Sequence, residues 1–360
     1  MSDPTIYIAI TDHGFGHAAR TASIAGQIQK LLPSVKLMLV TTAPRWLLEC
    51  YIDGEFTHRQ RGFDVGVVQA DSLKMDLDQT LVRWRDIIDR QHEIIAEEVA
   101  FCQEQNVNLI FADAPPLATA IAKQLGIPWW MSSKFGCDFI YRVWGGEFDQ
   151  IADWIGKLYG QCDRLFRVPL YESMDRFPHI EDVGLTGGDP KYPLAEIITK
   201  FNLDRSQQQT ILLTFGGLSL DAIPYHNISQ FPDDLFITLD RTAPDLPNLV
   251  KVIDRQFRPV DFMPLCDRVV SKPGYCTYAE ALKLQIPIIS LTRSGFAESE
   301  IILNGMQDYG HHQVISPDQF FTDNWDFLHQ PLQPPRVNSK LATDGNHAIA
   351  TAIINYLQNL

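Results

Sequence analysis

The chain contains two successive series of apolar strands, each followed by a glycine-bearing loop and a helical pattern. In the first series, the predominantly apolar run from Thr5 to Thr11 leads through Gly14 and Gly16 into a helical pattern from Ala18 to Leu32. Continuous apolar runs of this length are typical of parallel strands buried on both faces. Strands that alternate with helices in this way predict an α/β protein with doubly wound parallel sheets.

The other strand and helix signals fall into two groups. In the first group the strands are Val35–Thr41, Val107–Ala112 and Pro128–Ser132, with helices at Leu81–Gln105 and Pro116–Leu125. Residues 167–192 lose this periodicity and collect Pro and Gly, which is typical of a linker. The second group has strands at Thr210–Phe215, Leu235–Leu239, Leu249–Ile253, Arg268–Ser271 and Pro287–Leu291. We therefore predict two Rossmann-like domains, over residues 1–166 and 193–344.

Composition narrows the classes of function. The chain has 360 residues and a formal net charge of −14, which argues against a general nucleic-acid binder, since such proteins need clustered Lys and Arg. The six cysteines are scattered without metal-ligand or redox spacing and are expected to be free thiols. The N-terminal residues lack a secretory signal pattern, and no apolar run reaches the ~20 residues of a membrane span. These features favour a cytoplasmic protein and leave room for a peripheral membrane association.

The segment from Ser271 to Leu291 has the pattern of half a nucleotide-binding unit. A strand ends at Lys272-Pro273-Gly274, and a helix entered through Thr277 carries Glu280. Free N–H groups at the helix start, together with Lys272 and the Thr277 hydroxyl, suit a diphosphate, and the Glu280 carboxylate suits a ribose diol. Alternatively, Thr277 and Glu280 only form a capping box.

A second glycine loop opens the same half of the chain. Gly216-Gly217 and Ser219 follow the strand Thr210–Phe215 directly. Paired glycines let a backbone approach phosphate or sugar closely. We therefore assign Gly216, Gly217 and Ser219 to the same predicted nucleotide site.

Four further blocks lie in order along the chain: Gly14–Arg20, Asp64–Asp71, Asp138–Tyr141 and Phe296–Glu300. Together with the Ser271–Leu291 segment they resemble glycosyltransferases of the GT-B fold, including the bacterial peptidoglycan N-acetylglucosaminyltransferase and the glycosyltransferase-like N-terminal region of plant arabinokinase. The resemblance implies two domains facing a cleft, a nucleotide sugar on the C-terminal domain, and a last helix, 345–360, that packs back on the N-terminal domain.

The proposed reaction centre lies at the first glycine loop. His17 follows the first strand, and Asp113 follows the strand Val107–Ala112, so both are expected at the carboxyl edge of one sheet. The resemblance implies that His17 takes the proton of an acceptor hydroxyl while Asp113 orients the ring. His17 and Asp113 could instead cap helices, His13 could be structural, and Asp12 is a competing base.

The acceptor and sugar contacts are also expectations from these blocks. The residues that we expect to bind the acceptor are Gly14, Gly16, Arg20, Asp64, Gln69, Asp71, Asp138 and Tyr141. Aromatic rings beside carboxylates suit sugars, although Phe139 and its neighbours fit a core equally well. Glu298 and Ser299 match the loop that contacts the donor sugar in the transferases this chain resembles, but they differ from the Asp-Gln or Gln-Gln pairs common there, which leaves the sugar undetermined.

The sequence thus favours an inverting, metal-independent glycosyltransferase that uses a nucleoside-diphosphate sugar, with UDP as the expected nucleotide and no cofactor. Asp76 and Asp78 have the spacing of a metal motif, but they precede a helix, and we interpret them as a solvated helix start. Three alternatives stay open: a retaining transferase, a non-catalytic module that binds nucleotide sugars or carbohydrate, and a UDP-sugar 2-epimerase of the same architecture.

Overall fold

The computed structural model describes residues 3–68, 75–203, 208–216 and 223–360. These residues form two compact units. The first contains the described residues up to Gly187 together with Ala342–Leu360, and the second contains the described residues from Gly188 to Leu341. Each unit is an α/β fold around one parallel sheet, as the sequence predicts.

The sheet of the first unit has seven parallel strands. They are β1 (Thr5–Ile10), β2 (Lys36–Val40), β3 (Thr57–Arg59), β4 (Leu109–Asp113), β5 (Trp129–Ser133), β6 (Arg164–Arg167) and β7 (Ile180–Asp182). Their spatial order is β3-β2-β1-β4-β5-β6-β7. The strand order therefore reverses between β1 and β4, and this is the position where doubly wound folds bind their ligands.

Helices pack on both faces of this sheet. They are α1 (Gly14–Leu31), α2 (Arg45–Glu49), α3 (Leu77–Asp89), α4 (Gln91–Glu104), α5 (Ala118–Leu125), α6 (Cys137–Trp144) and α7 (Glu147–Tyr159). One core cluster joins the buried faces of β1 and β2 to α1, through side chains such as Ile8, Leu39 and Ile24. Burial of these apolar side chains supplies most of the stability of such a layer.

The second unit has a six-stranded parallel sheet in the order β10-β9-β8-β11-β12-β13. Its strands are β8 (Thr210–Leu213), β9 (Leu235–Thr238), β10 (Leu249–Lys251), β11 (Arg268–Ser271), β12 (Ile288–Leu291) and β13 (His312–Ile315). The helices are α8 (Leu194–Lys200), α9 (Pro259–Phe262), α10 (Tyr275–Leu284), α11 (Ala297–Tyr309) and α12 (Pro317–Phe321). Here the strand order reverses between β8 and β11.

The last helix, α13 (Gly345–Leu357), belongs to the first unit. Its Ile349 and Ile353 are fully buried in the same core cluster as α1. The chain approaches α13 through backbone hydrogen bonds between Leu185 and the residues Ala342 and Gly345. These contacts tie α13 to the segment that follows β7.

The helical pattern at Leu81–Gln105 and the predicted linker at 167–192 both differ from the sequence-based expectation. The helical pattern at Leu81–Gln105 is two helices, α3 and α4, that meet at Arg90. The segment 167–192, which the sequence indicates is a linker, contains β7 in parallel pairing with β6. Strand β7 is exposed or half-buried along its length, so it carries no apolar signal of its own.

Candidate active site

The β1–α1 connection lies at the point where the order of the first sheet reverses. Ile10 and Asp113 are register partners at the ends of β1 and β4, and the Thr11 backbone N–H donates to the Asp113 carbonyl over 3.1 Å. His17 is the fourth residue of α1 and is 7% exposed. It therefore lies inside the first turn, so the alternative that His17 caps the helix is wrong.

The buried Asp113 carboxylate is the centre of this site. Its Oδ1 lies 2.8 Å from His17 Nδ1, and its Oδ2 accepts hydrogen bonds from Arg20 Nε over 3.1 Å and from the Thr21 hydroxyl over 2.7 Å. Asp113 is the last residue of β4, whereas α5 begins at Ala118 without a side-chain cap. The carboxylate thus holds three side chains of α1 and does not cap the following helix.

Electrostatics determine the protonation state of the pair. Burial acts to raise the pKa of Asp113, but the charges of Arg20 and His17 outweigh it and hold this pKa well below its usual range. Burial lowers the pKa of His17, although Asp113 acts to raise it. An ionised carboxylate only accepts hydrogen bonds, so Nδ1 carries the proton of a neutral His17. The lone pair is then on Nε2, as a general base requires.

The loop before His17 is packed against residues 62–67. A Cβ built at Gly62 would lie 1.7 Å from Asp12 Oδ2, and one at Gly66 would lie 2.3 Å from His13 Cβ. The His13 ring contacts the Val67 backbone through Nδ1 at 3.1 Å. Only glycine leaves room for these contacts, and they favour a structural role for His13.

Asp12, which the sequence suggests as a competing base, is hydrogen-bonded to Thr42. Its Oδ1 accepts hydrogen bonds from the Thr42 backbone N–H over 3.1 Å and from the Thr42 hydroxyl over 2.7 Å. Burial raises the pKa of Asp12, and the bonds to Thr42 oppose that shift. These contacts commit Asp12 to the turn after β2.

Several residues expected to bind the acceptor have other environments. Arg20 is 1% exposed and ion-paired with Asp113, and Tyr141 is 1% exposed with its hydroxyl bonded to the Gly66 carbonyl and to Trp84 Nε1. Both side chains therefore make their contacts inside the unit, and neither lies at its surface in this structure. The aromatic residue Tyr141 belongs to the core.

The remaining acceptor residues are distributed around the loop. Asp64 is 5% exposed and accepts the Asp12 backbone N–H, while Asp138 is an ion-pair partner of Arg176 at 3.2 Å. Gly14 begins α1 with a φ of +65°, and Gly16 is exposed in the same turn. Gln69 and Asp71 lie outside the described residues.

A second set of predicted residues meets at the reversal point of the second sheet. Gly216 follows β8, Lys272 follows the neighbouring β11, and a Cβ built at Gly216 would lie 3.8 Å from Lys272 Cε. Gly216 has a φ of +84°, a backbone conformation that favours glycine. Pro273 is buried, and Gly274 is the residue before α10. Gly217 and Ser219 lie outside the described residues.

The start of α10 differs from the sequence-based expectation. The helix begins at Tyr275 with Gly274 as its N-cap residue and no side-chain cap, so Thr277 and Glu280 do not form a capping box. Thr277 is in the first turn and Glu280 in the second. Glu280 is 4% exposed and its Oε1 accepts the Gly188 backbone N–H over 2.8 Å. Burial raises the pKa of Glu280 to about 7.

Glu298 and Ser299 are helical, although the sequence suggests a loop. They occupy the first turn of α11, which follows β12, and they are 9% and 2% exposed. The Ser299 hydroxyl is buried without a hydrogen-bond partner among the described residues. A polar group left unpaired inside a protein is costly, and such groups often mark a position that a ligand or water completes.

Sequence reasoning missed one cation at the first site. Lys134 directly follows β5, is 3% exposed, and lies with its Nζ 4.6 Å from the centre of the Phe135 ring. Its charge contributes to lowering the pKa of His17. Its place in the sequence, directly after an apolar strand predicted in the same sheet as β4, is the signal that could have identified Lys134.

The described residues contain neither a cluster of metal ligands nor a membrane-spanning helix. No group of three or more His, Cys, Asp or Glu side chains in the described ranges is arranged to hold a metal ion. Asp76, from the possible metal motif, instead caps α3 by accepting the Gln79 backbone N–H over 2.9 Å. None of the helices found in the described part of the chain combines the length and apolar character of a membrane span.

One curated protein resembles the chain in sequence, whereas no protein-family model matches it. L-arabinokinase of Arabidopsis thaliana is 26% identical over 313 residues, in an alignment that covers 83% of this chain and 29% of that protein. The chain thus spans under a third of the length of this relative. The predicted resemblance to arabinokinase is confirmed.

Solved structures share the fold over almost the whole chain. Arabidopsis thaliana UGT89C1 in complex with UDP has a TM-score of 0.61 at 10% identity, covering 99% of this chain and 94% of that one. The glycotransferase of kitacinnamycin has a TM-score of 0.57 at 12% identity over 99% of this chain and 94% of that one. A Listeria monocytogenes protein assigned as a UDP-N-acetylglucosamine 2-epimerase has a TM-score of 0.57 at 11% identity over 100% of this chain and 98% of that one. These likenesses confirm the GT-B fold.

Proposed function

We propose that this protein is a glycosyltransferase that moves a sugar from a nucleoside-diphosphate sugar, with UDP as the nucleotide, to an acceptor hydroxyl. The observation that carries the proposal is the His17–Asp113 pair at the reversal point of the first sheet, with its 2.8 Å contact to Nδ1. Structures of similar fold support the substrate class, since one of them was crystallised with UDP.

In this mechanism His17 Nε2 removes the proton from the acceptor hydroxyl. The acceptor oxygen forms a bond to the anomeric carbon as the bond to the diphosphate oxygen breaks, and the diphosphate leaves with the electron pair. Attack from the side opposite the leaving group inverts the anomeric centre. Asp113 stabilises the imidazolium that forms, and Arg20 and Thr21 keep the carboxylate in place.

The donor would bind at the reversal point of the second sheet. We propose that the N–H groups at the start of α10 and the Lys272 ammonium neutralise the leaving diphosphate, a role that needs no metal. Gly216 allows the backbone near Lys272 to approach the ligand closely. Glu280 would bind the ribose diol and would then give up its bond to Gly188. Ser299 and Glu298 would contact the sugar.

The acceptor would bind beside the His17 loop in the first unit. Gly14 and Gly16 are the predicted residues that reach the surface there, since Gly16 is exposed and a Cβ at Gly14 would meet no atom within 4 Å. Asp138 remains a proposed acceptor contact, although its carboxylate is paired with Arg176.

The test is a turnover assay. Purified protein is incubated with UDP, GDP, TDP or ADP sugars and a panel of hydroxyl acceptors, and nucleoside-diphosphate release is measured with and without each acceptor. We expect release from a UDP-sugar that depends on an acceptor. Binding of UDP without release under any condition would favour the non-catalytic module.

A UDP-sugar 2-epimerase is the second candidate, because one structure of the same fold carries that assignment. The test incubates the protein with UDP-N-acetylglucosamine without an acceptor and monitors the sugar C2 proton by NMR. A change of configuration at C2 would identify this activity. The histidine-carboxylate pair in the first unit favours transfer.

A further inference from the structure

The buried Asp64 carboxyl lies where residues 62–67 pack against the His17 loop. Its Oδ1 accepts the Asp12 backbone N–H over 3.3 Å, which ties this segment to the first residue of the loop. Gly62 and Gly66 on either side of it are in the close contacts with Asp12 and His13 described above. Asp64 is thus the anchor at the centre of this contact.

The environment of Asp64 does not suit a negative charge. Its Oδ2 is buried and makes no hydrogen bond of good geometry among the described residues, and the Thr11 hydroxyl at the adjacent strand end is the side-chain donor that faces it. A buried ionised carboxylate needs several hydrogen bonds or a counter-ion, whereas a protonated one needs fewer.

The charged groups that act on Asp64 raise its pKa. Asp12 on the β1–α1 loop and Asp113 at the end of β4 are both carboxylates. From α6 and α7 it is faced by Cys137, Tyr141 and Tyr159, whose pKa values burial raises, so these groups are uncharged near neutral pH. Burial, and then the Asp12 charge, raise the pKa of Asp64 to about 7, although hydrogen bonds from the Thr11 side chain and the Asp12 backbone N–H act to lower it.

We infer that Asp64 is a positioning residue of the His17 site that acts in its protonated form, holding the His17 loop in place through Asp12. Ionisation of Asp64 would place a third carboxylate beside Asp12 and Asp113 and loosen the loop. This inference deepens the proposed function and rests on it for its effect on turnover. It predicts that kcat falls as the pH rises above about 7, and that the group whose ionisation causes this fall is Asp64 and not His17.

The first arm of the test needs no activity. An unfolded aspartate has a pKa of about 3.9, so between about pH 4 and 7 the folded protein keeps a proton that the unfolded chain loses. Asp64 therefore makes the folding equilibrium constant fall with rising pH, by up to about tenfold per pH unit, until it levels off above about pH 7. Asp64→Asn removes this dependence, so the difference in thermal midpoint between wild type and variant should change across that range. A constant difference would overturn the inference.

The second arm measures turnover against pH. Asp64→Asn mimics the protonated carboxyl, so we expect it to keep kcat within about twofold near pH 6.5 and to lose the fall in kcat above about pH 7. Asp64→Ala removes the anchor and should lower kcat by about tenfold or more. Asp234→Asn, which changes another buried aspartate in the second unit, should keep the wild-type pH profile. An alkaline fall in kcat that persists in Asp64→Asn would contradict the assignment.

The two arms separate the failure of this inference from the failure of the proposed function. If no sugar transfer is found, the stability arm still decides whether Asp64 is protonated. If Asp64→Asn does not fold, infrared spectroscopy of Glu280→Gln protein provides the answer, since Glu280 also has a pKa of about 7. A buried carboxylic-acid band present near pH 6 and absent near pH 8.5 is expected, and its absence near pH 6 would overturn the inference.

Discussion

At the scale of single residues, the His17–Asp113 pair explains how the first site could act as a base. Burial and nearby cations keep His17 neutral, and the ionised Asp113 fixes the tautomer that leaves Nε2 unprotonated. The pairing could be anticipated from sequence, because both residues follow strands whose carboxyl ends share one edge. The roles of Arg20 and Thr21 could not, because they depend on which side of α1 faces β4.

Replacement of His17 tests this role. His17→Ala should lower kcat by about 10²–10⁴-fold, because the acceptor hydroxyl loses its base, and should leave UDP affinity nearly unchanged. Turnover and calorimetric UDP binding measure the two effects. His92→Ala, which changes an exposed histidine on α4, is the matched control and should behave as wild type. Wild-type turnover in His17→Ala would remove the proposed base.

Asp113 also has a structural role that a stability measurement can isolate. Asp113→Asn takes away the buried partner of Arg20 and should lower the free energy of unfolding by about 3–5 kcal/mol. Asp182→Asn breaks an exposed pair with Arg167 and should cost at most about 1 kcal/mol. Thermal or urea unfolding of both variants compares a buried with an exposed ion pair. Equal effects would show that burial of the first pair is unimportant.

At the scale of elements, apolar runs predicted most central strands to within one or two residues. β1, β4, β8 and β11 are buried along nearly their whole length. Strands buried on both faces need apolar side chains at successive positions, so these strands have continuous apolar sequences. Strand β7 was missed because it is a short edge strand, and the start of α10 was placed too late because Gly274 rather than Thr277 precedes the helix. Edges and helix starts depend on tertiary contacts that leave little trace in the sequence.

Helix α1 offers a test of packing at the element scale. Gly to Ala changes inside helices usually stabilise, but a Cβ at Gly26 would lie 2.2 Å from the Tyr51 backbone carbonyl oxygen. Gly26→Ala should therefore lower the free energy of unfolding by about 1–3 kcal/mol. Gly160→Ala, where the nearest atom would be 3.4 Å away, should be neutral or slightly stabilising. A more stable Gly26→Ala protein would mean that α1 and the residues after α2 are less closely packed than described.

At the scale of the whole molecule, the two units share one structural arrangement. Each unit has a parallel sheet whose strand order reverses at its centre, and each reversal point has a glycine loop beside a proposed functional side chain, His17 in the first and Lys272 in the second. Repetition of this pattern was visible in the sequence as two series of strand, glycine loop and helix. The nucleotide and the acceptor could not be read in the same way, because they depend on side-chain contacts that vary among proteins of this fold.

The most direct test of the central claim is a calorimetric titration of the protein with UDP. The account predicts that wild-type protein binds UDP, and that Glu280→Gln weakens binding by about 1.5–3 kcal/mol through loss of a charge-assisted hydrogen bond to ribose. Glu196→Gln, an exposed change on α8, should bind as wild type does. No binding of UDP or any other nucleoside diphosphate to the wild-type protein would contradict the account, and unchanged affinity in a folded Glu280→Gln protein would place the donor elsewhere.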